Sequence, residues 1–213
     1  MEQFESRYLT TRFISAMEQG PYLMIVLHGL GDSMDGYGWL PSALRIPNLS
    51  YLLVNAPDGY FGGYSWYDFM GDPAQGIRRS RTLLLELLNE LEEAGYPTEN
   101  ILLFGFSQGC LMVLDIALRC AQKLRGICGV SGYVGLAGEY PENLSALGSR
   151  QNILLTHGFQ DPVVPFENSA KQYARLQQLG IPLEFKTYAK AHTILEEELG
   201  DIRLWAQARL DES

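Results

Sequence analysis

The chain is poor in histidine, cysteine and positive charge. Its 213 residues include three histidines and three cysteines, and 25 acidic side chains against 16 lysines and arginines give a formal charge of −9. Nucleic acids and anionic membrane surfaces bind basic patches, so neither is expected as a partner. The longest apolar run, residues 22–27, is too short to span a bilayer, and no stable membrane insertion is expected.

The three cysteines do not form a disulfide pattern. Their number is odd, and Cys110 and Cys120 lie on one predicted helix, where a rise of about 1.5 Å per residue separates their Cα atoms by ~15 Å. Free cysteines are typical of a reducing compartment, and the first residues contain no apolar signal segment. We therefore expect residues 1–213 to be a single cytoplasmic domain. Because no C-x-x-C or paired histidine spacing occurs, no metal is expected.

Segments with strand and helix character alternate along the chain. Continuous apolar runs predict strands that are buried on both faces of a sheet. These runs are residues 22–28, 51–55, 101–106, 125–130 and 152–156, followed by an alternating strand at 183–188. Helices are predicted at residues 39–45, 74–93, 108–121, 166–179 and 195–210. This alternation predicts an α/β fold with a mostly parallel central sheet flanked by helices on both faces.

Two further segments carry weaker structural predictions. Residues 3–17 are predicted to form two short strands paired as an edge hairpin. Residues 57–72 contain several glycines and aromatic side chains and are predicted to form a loop.

A G-x-S-x-G motif lies between a predicted strand and a predicted helix. It consists of Gly105, Phe106, Ser107, Gln108 and Gly109. In this context the motif is typical of a nucleophile elbow, a sharp turn that exposes the serine Oγ at a helix N-terminus. A plain glycine-rich turn is the competing interpretation, because the motif also occurs by chance. The flanking strand and helix favour the nucleophile.

Other polar residues follow the ends of predicted strands, where ligands bind in open α/β sheets. Asp161 follows the strand at 152–156, and His192 follows the strand at 183–188. The order Ser107, Asp161, His192 is that of α/β-hydrolases. A histidine can take up and return the serine proton, and a carboxylate can orient that histidine.

Alternatives exist for the base and for the acid. His157 could be the base, but its position at the end of a strand favours a packed side chain. Asp58 and Asp72 are weaker candidates for the acid because both precede Ser107 in the chain.

Acyl transfer also requires hydrogen-bond donors for an oxyanion. The backbone N–H of Gln108, directly after the nucleophile, is one predicted donor. The N–H of Leu30 is the other, because Gly29 and Gly31 leave the backbone around it free to turn.

Six segments in this order resemble the phospholipase/carboxylesterase family of α/β-hydrolases, which includes acyl-protein thioesterases. They are LHGLGD (27–32), NAP (55–57), SWYD (65–68), GFSQG (105–109), HGFQDPVVP (157–165) and AH followed by EEEL (191–199). The resemblance implies an α/β-hydrolase fold, a triad of Ser107, Asp161 and His192, and an oxyanion hole formed by the N–H groups of Leu30 and Gln108. It implies no metal and no organic cofactor.

The acyl group is predicted from the loop between residues 57 and 65. This loop is shorter than its counterpart in acyl-protein thioesterases, so we expect esters of short to medium acyl chains, with a small-molecule ester or thioester as substrate. Long-chain thioesterase or lysophospholipase activity is the alternative, and a non-catalytic ligand-binding protein is a third. The oligomeric state stays open, a homodimer included. The candidate pocket residues are Phe61, Tyr64, Trp66, Tyr133 and Val164, and packing over the sheet edge is favoured for Trp66.

Overall fold

The computed structural model describes residues 4–212 of the chain. Within this range the chain forms nine β-strands and five α-helices. The strands are β1 (Thr11–Ile14), β2 (Tyr22–Leu27), β3 (Leu49–Val54), β4 (Asp58–Tyr60), β5 (Gly63–Ser65), β6 (Ile101–Phe106), β7 (Gly126–Val130), β8 (Ile153–Gly158) and β9 (Leu183–Tyr188). The helices are α1 (Leu40–Leu44), α2 (Pro73–Glu93), α3 (Gln108–Arg119), α4 (Phe166–Gln178) and α5 (Glu196–Leu210).

Seven of the described strands form one sheet in the order β1-β3-β2-β6-β7-β8-β9. Neighbouring strands from β3 to β9 run parallel, and β1 pairs antiparallel with β3 at the edge. Strands β4 and β5 form a separate antiparallel hairpin. The predicted mostly parallel sheet is confirmed.

The sheet is buried on both faces because its central strands are apolar at successive positions. In β2, Leu23, Ile25 and Leu27 pack into a core shared with α2, α3 and α4. Met24 and Val26 point the other way and pack into a second core, shared with α1 and α5. Helices therefore cover both faces, as predicted. No helix within residues 4–212 has both the length and the apolar character needed to cross a membrane.

The predicted edge hairpin over residues 3–17 is wrong. Residue 3 lies outside the described part of the chain, and residues 4–17 contain a single strand, β1. β1 pairs with β3, whose residues lie about forty positions further along the chain. This pairing depends on the free edge that β3 offers in the folded sheet, and the local sequence around β1 does not specify it.

The segment predicted as a loop at 57–72 instead begins with the β4–β5 hairpin. Phe61 and Gly62 connect the two strands, with φ angles of 43° and 90°. Positive φ at both turn residues is typical of a type I′ turn, whose twist matches that of paired strands. The many glycines and aromatic residues obscure this hairpin in the sequence.

The strand order creates a switch point at β2. From β2 the chain passes to β3 on one side of it, and β6 later pairs with β2 on the other side. At such a point the loops after the two strands separate and leave a crevice at the carboxyl ends. The loop after β2 carries Leu30, and the turn after β6 carries Ser107.

Gly109, in the first turn of α3, generates a test of this packing. A Cβ added there would lie 2.1 Å from the carbonyl oxygen of Leu27 and 2.8 Å from that of His28. Because both neighbours are backbone atoms, Gly109→Ala is expected to force α3 away from β2. We expect the free energy of unfolding, measured by urea denaturation, to fall by about 1–3 kcal/mol or more.

Gly200→Ala is the matched control, since Gly200 also lies in a helix but an added Cβ there meets no atom within 4 Å. It is expected to raise the free energy of unfolding by about 0.5–1 kcal/mol. A similar loss in both variants would contradict the packing account.

Candidate active site

Ser107 lies in the turn between β6 and α3. Its backbone has φ 54° and ψ −114°, a combination that residues other than glycine rarely adopt. The turn is held by a 2.9 Å hydrogen bond from the Ser107 N–H to the carbonyl of Val130. A Cβ on Gly105 would lie 2.2 Å from the carbonyl oxygen of Gly109, so the flanking glycines are required by close approach. The turn has the geometry of a nucleophile elbow.

Ser107 lines a cavity of about 520 Å³, a volume typical of small-molecule sites. The cavity also contains His192, Leu30 and Gln108. Its apolar wall consists of Phe69, Phe106, Tyr133, Val163, Val164 and Pro165. The structure therefore brings the predicted nucleophile, base and oxyanion residues to one cavity.

His192 bridges the cavity and the predicted acid. Its Nδ1 lies 2.7 Å from Oδ2 of Asp161, and its ring packs against Phe106 with 4.8 Å between ring centroids. Because an ionised carboxylate can only accept, Nδ1 carries the proton and donates it to Asp161. Nε2 is then the basic nitrogen. Among the described residues, no direct hydrogen bond joins Nε2 to the Oγ of Ser107, although both side chains line the same cavity.

Asp161 is held in place by three hydrogen bonds. Besides the bond from His192, its Oδ1 accepts the backbone N–H groups of Val163 at 2.9 Å and Val164 at 2.8 Å. Burial by itself would raise the pKa of Asp161, but the hydrogen bonds from His192 and from these backbone groups outweigh it and lower the pKa below its usual value. The side chain is fully buried and ionised at neutral pH.

His157, the alternative base, is buried behind the acid and does not line the cavity. Its Nε2 donates to the carbonyl of Val164 at 2.9 Å and lies 3.5 Å from Oδ2 of Asp161. Burial lowers its pKa. His157 therefore contacts the loop that carries Asp161, and it has no access to Ser107.

The Leu30 N–H is oriented by its neighbour His28. The carbonyl of Gly29 accepts a 2.6 Å hydrogen bond from Nδ1 of His28, while Nε2 of His28 accepts the backbone N–H of Ala56 at 3.0 Å. In a trans peptide the carbonyl and the next N–H point in opposite directions. Since the Gly29 carbonyl is held toward His28, the Leu30 N–H points away from it. Burial lowers the pKa of His28, so the ring is neutral.

The Gln108 side chain connects the two segments that carry the predicted oxyanion donors, Leu30 and Gln108. Its Oε1 accepts the backbone N–H of Trp66 at 3.0 Å, and its Nε2 donates to the carbonyl of Tyr67 at 3.2 Å. The indole N–H of Trp66 in turn donates to the carbonyl of His28 at 2.9 Å. The start of α3 and the loop after β2 are therefore joined through Trp66.

Three predicted pocket residues do not line the cavity, which corrects the prediction. Phe61 is 96% exposed at the tip of the β4–β5 hairpin, because the positive φ of the turn directs it away from the protein. Tyr64 is paired through its backbone with Gly31 and Asp32 beside the oxyanion loop. Trp66 is fully buried, as packing requires. Tyr133 and Val164 do line the cavity.

Several cavity residues are missed by the sequence reasoning. Phe106 precedes the predicted nucleophile and Val163 follows the predicted acid by two residues, so their positions next to these residues could have identified them. Asn168 and Gln172 carry no comparable signal. Within the described residues, no three histidine, cysteine or carboxylate side chains lie close enough to hold a metal ion together.

Comparison with known proteins identifies the family. The family model described as phospholipase/carboxylesterase matches residues 11–208. The chain belongs to this family. Acyl-protein thioesterase 1 of Schizosaccharomyces pombe is 34% identical over 155 residues, which cover 67% of this chain and 69% of that protein. Acyl-protein thioesterase 1 of Gibberella zeae is 27% identical over 221 residues, covering 92% and 93% of the two chains.

A solved structure agrees with the fold. The crystal structure of esterase PE8 superposes with a TM-score of 0.84 at 26% identity and covers 94% of this chain and 98% of its own. The chain described here therefore has the α/β-hydrolase fold, and it is a hydrolase of the esterase and thioesterase type.

The neutral state of His28 and His157 generates a pH prediction. Burial lowers both pKa values below about 6.5, the value expected in the unfolded chain. Below that pH the unfolded chain binds protons that the folded chain does not, so the free energy of unfolding is expected to decrease as the pH falls through about 6.5. Urea denaturation between pH 7.5 and 5.5 measures the decrease.

Nitrogen-15 NMR of the imidazole rings provides the site-specific readout. His28 is expected to carry its proton on Nδ1 and His157 on Nε2 at pH 7.5. Imidazolium signals from both rings in the folded protein at that pH would contradict the assignment.

Proposed function

We propose that this enzyme hydrolyses carboxylic esters of short to medium acyl chain, with Ser107 as nucleophile, His192 as base and Asp161 as the orienting acid. The observation that carries the proposal is the 2.7 Å contact between Nδ1 of His192 and Oδ2 of Asp161, beside a cavity that Ser107 also lines. It leaves Nε2 of His192 as the one ring nitrogen able to accept the serine proton.

The reaction follows from the roles of these groups. Nε2 of His192 accepts the Oγ proton as Ser107 attacks the ester carbonyl, and Asp161 stabilises the imidazolium. The tetrahedral oxyanion accepts hydrogen bonds from the N–H groups of Leu30 and Gln108. His192 then donates the proton to the departing alcohol. Water, activated by the same nitrogen, releases the acid from the acyl-enzyme.

Both proposed oxyanion donors are free to act. Within residues 4–212 neither the Leu30 N–H nor the Gln108 N–H donates to a protein acceptor, although their neighbours in the same loops are hydrogen-bonded. The Gln108 N–H is also the first of α3, where the helix dipole favours negative charge.

The shape of the cavity supports a short to medium acyl chain. The β4–β5 hairpin turns Phe61 outward and contributes no wall to the cavity. The apolar side chains of Phe106, Tyr133 and Val163 offer contacts for an alkyl chain. No lysine or arginine lines the cavity, so it offers no partner for an anionic headgroup.

Thioesters of long acyl chains are the second candidate. The observation in their favour is the similarity to acyl-protein thioesterase 1 of Schizosaccharomyces pombe and of Gibberella zeae. The same Ser107, His192 and oxyanion donors suit this chemistry, because a thiolate is a better leaving group than an alkoxide.

The roles of the two histidines are tested by single substitutions. Ser107→Ala and His192→Ala are each expected to lower kcat on p-nitrophenyl butyrate by roughly 10⁴- to 10⁶-fold, because each removes a member of the proton-transfer unit. His157→Ala is expected to lower kcat tenfold or less, since it only supports the acid loop.

Two results would contradict this account. An active His192→Ala variant together with an inactive, folded His157→Ala variant would assign the base to His157. Failure of a fluorophosphonate to label Ser107 in the folded wild-type protein would favour a non-catalytic binding protein.

The acyl preference is tested with p-nitrophenyl esters from acetate to palmitate, with Ser107→Ala as the blank. We expect kcat/KM to reach its maximum at butyrate to octanoate and to fall at least tenfold by palmitate, because the cavity has no extension beside the hairpin. A maximum at palmitate would favour the long-chain thioesterase.

A further inference from the structure

The loop that carries His192, residues 189–195, is built around a buried ion pair. Nζ of Lys190 lies 2.6 Å and 2.7 Å from the two carboxylate oxygens of Glu198, in the first turn of α5. Neither side chain has exposed surface. In a loop at a strand end, a lysine normally extends into water, so this burial requires an explanation.

Burial of such a pair is not explained by stability alone. Removing two charges from water is costly, and replacing a buried pair by apolar residues is often neutral or stabilising. Burial indeed lowers the pKa of Lys190, against the opposing effect of Glu198. The remaining hydrogen bonds of the pair indicate what it does.

Both charged groups bind the backbone on the far side of His192. Nζ of Lys190 donates to the carbonyl of Thr193 at 2.8 Å, and Oε2 of Glu198 accepts the N–H of Leu195 at 3.1 Å. The loop thus closes on itself around the ion pair, with His192 between Lys190 and Thr193. The ion pair therefore fixes the backbone of the loop that carries the His192 imidazole.

The backbone of Lys190 also binds the loop that carries Asp161. Its carbonyl accepts the N–H of Gln160, directly before the acid, at 3.1 Å. A Cβ on Gly158 would lie 2.1 Å from the same carbonyl oxygen, so the two loops are in close backbone contact there. One residue therefore connects the loops of the base and of the acid.

We propose that Lys190 and Glu198 are positioning residues that hold the His192 loop in register with the Asp161 loop. The proposal rests on the proposed function, in which His192 is the base. Neither residue lines the cavity, so each acts through His192 and not on the substrate. Reaction rates are sensitive to this register, because a displacement of about 1 Å at a catalytic group can cost ~100-fold.

The test separates positioning from fold stability. The double variant Lys190→Met/Glu198→Leu replaces the pair by apolar side chains of similar size, so neither charge is left buried alone. It is expected to unfold at a urea concentration close to that of the wild-type protein, with KM for p-nitrophenyl butyrate within about twofold. Its kcat is expected to fall 10- to 100-fold, because the bonds to Thr193 and Leu195 are lost.

The matched control is Lys186→Met. Nζ of Lys186 lies 3.2 Å from Oδ1 of Asp201, so this pair joins β9 itself to α5, but it is partly exposed and does not include a residue of the loop. The control is expected to keep kcat within twofold. In proton NMR, the far-downfield signal of the hydrogen bond between Nδ1 of His192 and Asp161 is expected to weaken in the double variant and to persist in the control.

A second pair of variants keeps the proposal testable if the double variant does not fold. Glu198→Gln retains one acceptor oxygen, which can accept from Lys190 and Leu195 at the position of Oε2, and it is expected to lose at least threefold less kcat than Glu198→Leu. Glu198→Leu, measured at a temperature at which it is folded, is expected to lose 10- to 100-fold. Equal values of kcat in the two folded variants would overturn the proposal.

Two outcomes distinguish this proposal from the proposed function. Suppose that the double variant keeps the kcat and the stability of the wild-type protein while His192→Ala is inactive. The ion pair is then only structural, and the positioning proposal is overturned. If His192→Ala remains active, the proposed function itself fails, and the positioning proposal fails with it.

Discussion

The structure depends on the docking of two loops at the carboxyl ends of β8 and β9. The 2.7 Å hydrogen bond from Nδ1 of His192 to Asp161 joins them and determines which imidazole nitrogen faces the cavity. It forms between side chains that start from parallel, adjacent strands, so the sheet register determines their separation. The hydrogen bond from His192 and the backbone N–H groups of Val163 and Val164 lower the pKa of the carboxylate, and the two backbone groups also hold it in place.

A second frame of hydrogen bonds supports the other half of the cavity. His28 holds the Gly29 carbonyl, and Trp66 connects the carbonyl of His28 to the Gln108 side chain. The two backbone N–H groups proposed to bind the oxyanion therefore belong to segments that are rigidly joined. Such preorganisation matters because donors already in place need no reorganisation during the reaction.

Much of this architecture is predictable because its signals are local. Ser107, Asp161 and His192 each follow a strand, and parallel strands bring their carboxyl ends to one edge of the sheet. The pairing of β1 with β3 and the hydrogen bond between Gln108 and Trp66 each join residues about forty positions apart. Local sequence patterns do not predict such long-range contacts. Phe61 was predicted in the pocket because an aromatic residue in a glycine-rich segment looks the same whether it faces inward or outward.

The central claim is that an acyl group is transferred to Ser107 during turnover. Rapid acid quenching of the wild-type enzyme with p-nitrophenyl butyrate, followed by peptide mass spectrometry, measures this directly. The account predicts a butyryl adduct on the peptide that contains Ser107 and on no other serine or cysteine peptide. A butyryl adduct on a different residue during the burst of p-nitrophenol release would contradict it.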